Sequence, residues 1–192
     1  IVGKADGLVA QWQDGTTIEI GQAMAHLTLS VIWRLLFGRE VGSEAPTIRE
    51  TIAVGQRLIK LQYDSLFASL TPLWVPTKLH RQFTRGFRSI ETMIRRLINE
   101  RRTAPRHGDD DMLSLLFAAR DTEGRRLSDE EIRDELMTFL LAGHETTANA
   151  LTWTWFLLSQ HRSVWEQLTQ EVNEVVGNRL PTAADVPLLR YT

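Results

Sequence analysis

Between Leu136 and Leu151 the sequence reads LMTFLLAGHETTANAL, which sets an acid beside an alcohol, Glu145 and Thr146, in a run that is otherwise mostly apolar. At about 100° per residue on a helix, Thr138, Ala142, Glu145, Thr146 and Asn149 gather on one side, with Leu136, Leu140 and Leu151 roughly opposite. A helix apolar on most sides is expected to be buried, so the strip reads as a small, polar surface inside the protein. A buried carboxylate needs a partner or a proton-handling purpose. Ala142 and Gly143 leave room for a flat body against the backbone. The Thr146 hydroxyl is within reach of the Ala142 carbonyl, and that bond, next to Gly143, would loosen the helix and open a groove. An acid and an alcohol at the lip of such a groove could bind oxygen and pass protons. The same residues also suit plain close packing with Glu145 ion-paired, and the side chains alone leave both readings open.

A metal reading fails. His144-Glu145 begins the zinc-protease pattern His-Glu-x-x-His, which needs its second histidine one turn later, but position 148 is alanine. His26, His80, His107 and His161 stand at no spacing that would replace it. His144 faces away from the polar strip and is expected to pack or hydrogen-bond. There is no cysteine, so the chain has no disulfide and no thiolate ligand, and the redox compartment cannot be read.

The elements that must position this strip are helical, and the fold class expected is all-α. Ser128 and Glu131 form a capping box, and the absence of proline from there to Pro181 predicts one helix over 129–160, roughly 45–50 Å long. A second helix follows over 161–176, closed by Gly177. Upstream, Met24, Leu27, Val31, Ile32, Leu35 and Leu36 recur at helical spacing over 21–37, with Gly38 where a left-handed residue ends a helix. Thr16 to Ile20 alternates briefly, as an extended entry segment would. Pro46 and Pro76 suit the first turns of two more helices, the second lined by Leu79, Phe83, Phe87, Ile90, Ile94, Leu97 and Ile98. Asp109 or Asp110 is expected to cap a short helix through Met112 and Leu115, Asp121 to Gly124 to turn, and Leu180 to Thr192 to be turn-rich.

With 192 residues, 43% hydrophobic and 24% charged, the chain can bury a core, and its net charge of −2 gives no field for nucleic acid or an anionic membrane. The basic run Arg95, Arg96, Arg101, Arg102 and Arg106 sits where cations suit a helix C-terminus. No charge-free apolar stretch is long enough to span a bilayer, so no membrane segment is expected. Neither an internal repeat nor a domain boundary is visible.

Ala142-Gly143-His144-Glu145-Thr146-Thr147 resembles the oxygen-binding motif of the cytochrome P450 distal helix, Ala/Gly-Gly-x-Asp/Glu-Thr-Thr/Ser. The resemblance extends over the chain: Ile18 to Gly38 is similar to the family's stretch ending in Leu-Phe-Gly, and Leu180 to Thr192 looks like the approach to its next helix. It implies a haem-thiolate monooxygenase using haem iron, dioxygen and electrons from a reductase or a ferredoxin or flavin domain, acting on a small hydrophobic substrate. The form of the motif resembles members that hydroxylate fatty acids. Glu145 and Thr146 would be the catalytic acid–alcohol pair, Ala142 and Gly143 would lie over the haem, and Thr138 and Leu141 would line the substrate pocket. The helices over 48–70 and 76–102 are similar to the family's pocket-covering pair.

The axial cysteine, the Glu-x-x-Arg helix and the Trp-x-x-x-Arg element of the family are absent. The expectation is therefore that 1–192 is a partial cytochrome P450 domain lacking its N-terminal and haem-cysteine parts, inactive alone. The rival is a cofactor-free helical module that binds a ligand or partner in an apolar groove.

Overall fold

Several helices begin or end on a local signal written in the chain, and the computed structural model describes residues 1–64, 77–104 and 111–192 (side chains of 62–64 excepted). The described residues form seven α-helices: α1 (Val2–Val9), α2 (Ile20–Phe37), α3 (Ala45–Asp64), α4 (Lys78–Thr103), α5 (Met112–Ala118), α6 (Asp129–Gln160) and α7 (Arg162–Val175). A single 3-10 turn, Val186–Leu188, follows. Among them there is no strand, only an isolated bridge between Arg120 and Arg126. The all-α expectation holds, and Thr16 to Glu19 is irregular chain whose last residue caps α2, the Gln22 amide donating to the Glu19 carboxylate at 3.2 Å.

The chain divides into two units, 32–142 and the pair 1–31 with 143–192, so that α2 and α6 each contribute to both. In the first, Trp33, Leu36 and Phe37 of α2, Ile48 and Val54 of α3, Ile90, Ile94, Leu97 and Ile98 of α4, Leu113 of α5 and Ile132, Leu136 and Leu140 of α6 are buried. Each such side chain taken from water contributes about 1.5–3 kcal/mol. Helices α3 and α4 approach closely because glycine stands at the crossing: a Cβ on Gly86 would overlap the Thr51 hydroxyl, and one on Gly55 would come to 2.9 Å from the Phe83 ring. Pro46 occupies the second position of α3, as expected, whereas Pro76 lies outside the described residues and Thr77 caps α4 through the His80 amide at 3.1 Å.

The arginine run does more than face solvent at a helix end. Arg95 bridges Glu91 and Glu130, Arg96 reaches Glu44 at 3.2 Å, and Arg102 holds Asp129. Arg101, only 9% exposed, grips both oxygens of Asp111 at 3.1 and 2.7 Å, the Ser114 hydroxyl at 2.7 Å and the Phe37 carbonyl at 3.2 Å. Asp111 also caps α5, accepting from the Ser114 amide at 2.8 Å. The cap is therefore Asp111 rather than Asp109 or Asp110, which with Arg106 lie outside the described residues. The sequence offered three aspartates in a row, and the choice among them is made by Arg101, which a local pattern does not contain. Burial would raise the Asp111 pKa, but the bonds from Arg101 and Ser114 outweigh it and hold the carboxyl below its ordinary value.

In the second unit, Glu171 of α7 accepts the amides of Arg190, Tyr191 and Thr192 at 2.7, 2.7 and 3.0 Å, and Arg179 clasps Asp185 at 2.5 and 2.7 Å. Trp155 of α6 stands 6.4 Å from Trp12 and 5.9 Å from Trp165, ring centre to ring centre. Gly177 (φ +62) closes α7 and Gly38 (φ +67) closes α2, both as expected from their places in the sequence. Over its 18 residues α2 has a mean hydropathy of 1.3, apolar enough by length and composition to cross a membrane. Arg34 interrupts it, and Met24, Leu29, Trp33, Leu36 and Phe37 are each 3% exposed or less, the pattern of a core helix.

Candidate functional site

Helix α6 is laid down by its first turn. The Ser128 amide and hydroxyl donate to Glu131 Oε2 at 2.7 and 2.8 Å, and the Glu131 amide donates to the Ser128 hydroxyl at 3.2 Å, the reciprocal capping box the sequence predicts. Asp129, Glu130 and Glu131 all stand in that turn, where negative charge opposes the helix dipole. Arg125 bonds both Glu131 oxygens at 3.0 Å. With the Ser128 bonds, it holds the Glu131 carboxyl at about 2, well below the usual value.

From there α6 runs unbroken to Gln160, and its two sides differ. Ile132, Leu136, Met137, Leu140, His144 and Ala148 are buried, following one another at three, four and one residue spacing down one side. His144 is 3% exposed and its Nδ1 lies 2.9 Å from the Thr28 hydroxyl of α2, which itself donates to the Met24 carbonyl at 2.9 Å. His144 thus packs and hydrogen-bonds, as the sequence led us to expect. No group of metal-holding side chains occurs among the described residues.

The other side departs from expectation. Thr138, Ala142, Thr146 and Asn149 are exposed, while Leu141, Gly143 and Glu145 are half-buried. The strip predicted to be a buried polar surface is thus exposed or half-buried among the described residues. Apolar composition around most of the helix was the basis for expecting burial, and composition does not say whether the covering layer belongs to the same chain. Thr138 spends its hydroxyl on the Asp134 carbonyl at 2.8 Å, and Thr152 and Thr154 do the same one turn back, to Ala148 at 2.7 Å and Ala150 at 2.9 Å. Glu145 and Thr146 stand together with Gly143 in the 143–192 stretch, whereas Thr138, Leu141 and Ala142 belong to the stretch of α6 in the 32–142 unit. Thr28 was not singled out in the sequence. It sits at no motif spacing from His144, and only its place among buried residues of an apolar helix could have marked it.

A family model described as cytochrome P450 matches residues 2–192. The chain belongs to the cytochrome P450 family. Among its relatives, cyclooctatin synthase of Streptomyces melanosporofaciens is 36% identical over 94% of this chain and 39% of its own length. The cyclooctat-9-en-7-ol 5-monooxygenase of the same organism is 32% identical over 96% of this chain and 40% of its own. A solved structure, the retinoic acid-bound cyanobacterial CYP120A1, superposes with a TM-score of 0.79 at 26% identity, covering 98% of this chain and 40% of that one. The chain thus spans about 40% of the length of the P450 relatives it matches. The P450 fold also accounts for the all-helical architecture.

P450 enzymes carry haem, and the residues present fit one face of it. On α6 Ala142 carries only a methyl group and Gly143 no side chain, the small residues that a planar group lying against a helix requires. The axial thiolate cannot come from these residues, because the chain contains no cysteine.

Proposed function

We propose that this chain is the central segment of a longer haem-thiolate monooxygenase, and that the open strip of α6 forms the oxygen-side wall of its active site. The observation that carries the reading is the Ala142-to-Thr147 motif at the middle of a 32-residue helix whose other side is fixed through His144. Haem, when bound, supplies the transfer of one oxygen atom from dioxygen to a carbon of the substrate, with electrons from a reductase or a ferredoxin or flavin domain. The chain's own residues supply shape and protons. Ala142 and Gly143 keep bulk away from the ring. Glu145 takes up protons from solvent at the half-buried edge of the strip, and the Thr146 hydroxyl holds a proton at the reacting end. Thr138 and Leu141, earlier on the same helix, face the substrate. The coverage of 39–40% of the relatives supports a partial P450 domain over 1–192 that is inactive by itself.

The substrate is a hydrophobic organic molecule. The form of the motif suggested a fatty acid, whereas a relative's name specifies a cyclic alcohol hydroxylated on carbon. We favour a cyclic hydrocarbon or alcohol. The rival reading, a cofactor-free helical module, has no observation in its favour once the family is known.

The test is expression of the longer reading frame with haem and a surrogate reductase, scored by a carbon monoxide difference spectrum, with the 192-residue chain as the negative arm. Substrate panels of long-chain fatty acids and cyclic alcohols then separate the two classes. Thr146→Ala is expected to keep the thiolate-type spectrum while product formed per electron consumed falls about tenfold or more, since positioned proton transfer contributes roughly 10²–10⁴. Unchanged coupling would remove Thr146 from this role, and a thiolate-type spectrum from the 192-residue chain alone would overturn the segment reading.

A further inference from the structure

Helices α3 and α4 enclose a groove of about 620 Å³ lined by Thr47, Glu50, Thr51 and Val54 on one wall and Lys78, Arg81, Gln82, Arg85, Gly86 and Ser89 on the other. Its volume falls within the roughly 300–1,000 Å³ of small-molecule sites. Its shape is fixed by the close crossing of the two helices, where Gly86 lets the α4 backbone press against Thr51.

The charges in the groove have no structural explanation of the kind found elsewhere on α4. In the C-terminal half of that helix, Arg95, Arg96, Arg101 and Arg102 each hold a carboxylate. In the N-terminal half, Lys78, Arg81 and Arg85 fall on one face at helical spacing, and among the described residues none of the three holds a carboxylate. Lys78 and Arg81 also stand at the wrong end: α4 carries no acidic residue in its first turn, so these two cations meet the positive end of the helix dipole. The groove's one carboxylate, Glu50, is occupied by the Gln82 amide at 3.0 Å. Three cations less one carboxylate leave a net charge of +2 facing a concave surface that also carries the Thr47 and Ser89 hydroxyls.

We propose that this groove binds a free small molecule bearing a dianionic phosphate monoester. Two guanidinium groups one turn apart present paired N–H donors to phosphate oxygens, Lys78 adds a third charge, and a phosphate dianion cancels the +2. Nothing in the proposal depends on haem or on the oxygenase reading, because α3 and α4 form the groove by themselves.

The 192-residue chain is titrated with phenyl phosphate near pH 7.5, where a monoester with a second pKa of about 6 is dianionic, against sodium chloride at matched ionic strength and against phenyl sulfate. Heat of binding and the 15N-edited Arg Nε signals are the readouts. Saturable binding is expected, weaker by at least tenfold for phenyl sulfate and for the R81Q/R85Q double variant, with the Arg81 and Arg85 signals moving on titration. If the double variant loses helicity by circular dichroism, Arg81→Gln and Arg85→Gln separately are each expected to weaken binding severalfold. Absence of saturable binding, equal binding by folded variants, or binding to phosphatidic acid vesicles without binding of free phenyl phosphate would overturn the proposal.

Discussion

Replacing Asp111 with leucine removes the carboxylate that a nearly buried arginine grips by both oxygens. Arg101 then keeps only the Ser114 hydroxyl and the Phe37 carbonyl of the bonds described, and α5 loses the carboxylate that accepts its Ser114 amide. Removing one partner of a buried pair costs about 3–5 kcal/mol because the other charge is left without compensation, and the lost cap, worth about 1 kcal/mol, is part of the same event rather than an addition to it. We predict a loss of about 4 kcal/mol for Asp111→Leu, or roughly 8–16 °C in Tm at 2–4 °C per kcal/mol for a chain of this size. Arg101→Met is expected to cost about 3 kcal/mol. The double variant, with an apolar pair in place of the ionic one, should fall about 3 kcal/mol short of the sum of the singles. Urea unfolding followed by tryptophan fluorescence and helical dichroism measures all four corners of this cycle. Arg96→Met provides the surface reference, since Arg96 is 58% exposed and its pairs are worth about 0–1 kcal/mol. If Asp111→Leu costs less than about 1 kcal/mol, or if the singles add, the clasp does not hold α2, α4 and α5 together and the reasoning fails.

Glu131 has a folded pKa of about 2 against an ordinary 4.5, so its contribution to stability is complete above about 4.5 and disappears as the pH falls toward 2. An acid titration by circular dichroism should show less pH dependence over that window for Glu131→Gln than for the wild type. Gly86→Ala forces a methyl against the Thr51 hydroxyl and should cost about 1–3 kcal/mol, partly recovered by adding Thr51→Ala; equal stability of the single variant in urea would refute the tight crossing. His144→Ala deletes a buried ring and leaves Thr28 without that partner, for an expected loss of about 2–4 kcal/mol in thermal unfolding, and a change under about 0.5 kcal/mol would show that α6 is not anchored there.

What could be read from the sequence was what is local along the chain. The boundaries of α6 at Asp129 and Gln160 follow from the Ser128–Glu131 box and a proline-free run, and the ends of α2 and α7 follow from Gly38 and Gly177. The six-residue motif pointed to the family together with the capped long helix around it and the segments ending in Leu36-Phe37-Gly38 and at Thr192. Long-range partnerships were not legible: that Asp111 caps α5 depends on Arg101 across ten residues, and that His144 meets Thr28 depends on a contact 116 residues apart. The arginine run read as a solvated helix end, yet Arg95, Arg96, Arg101 and Arg102 are ties to Glu130, Glu44, Asp111 and Asp129. Charge at a helix terminus is visible in a sequence, but the carboxylates it will meet are not.

The open strip of α6 explains why periodicity alone misjudged burial there while identifying its chemistry. A helix in water tends to show its polar side, and one in a core is apolar all round. Helix α6 is neither: Ile132, Leu136, Leu140 and His144 are buried, and the opposite strip is small, partly polar and bare. A surface strip meant for water would favour long charged side chains, whereas threonine and glycine lower helix stability and alanine covers little of the backbone. Between Leu136 and Leu151 the only formal charge is Glu145. Residues too small to shield the helix and too uncharged to be chosen for solvent are best accounted for by a rigid, flat neighbour that needs close approach. Under the proposed function that neighbour is the haem, and the loss of coupling expected for Thr146→Ala tests that assignment.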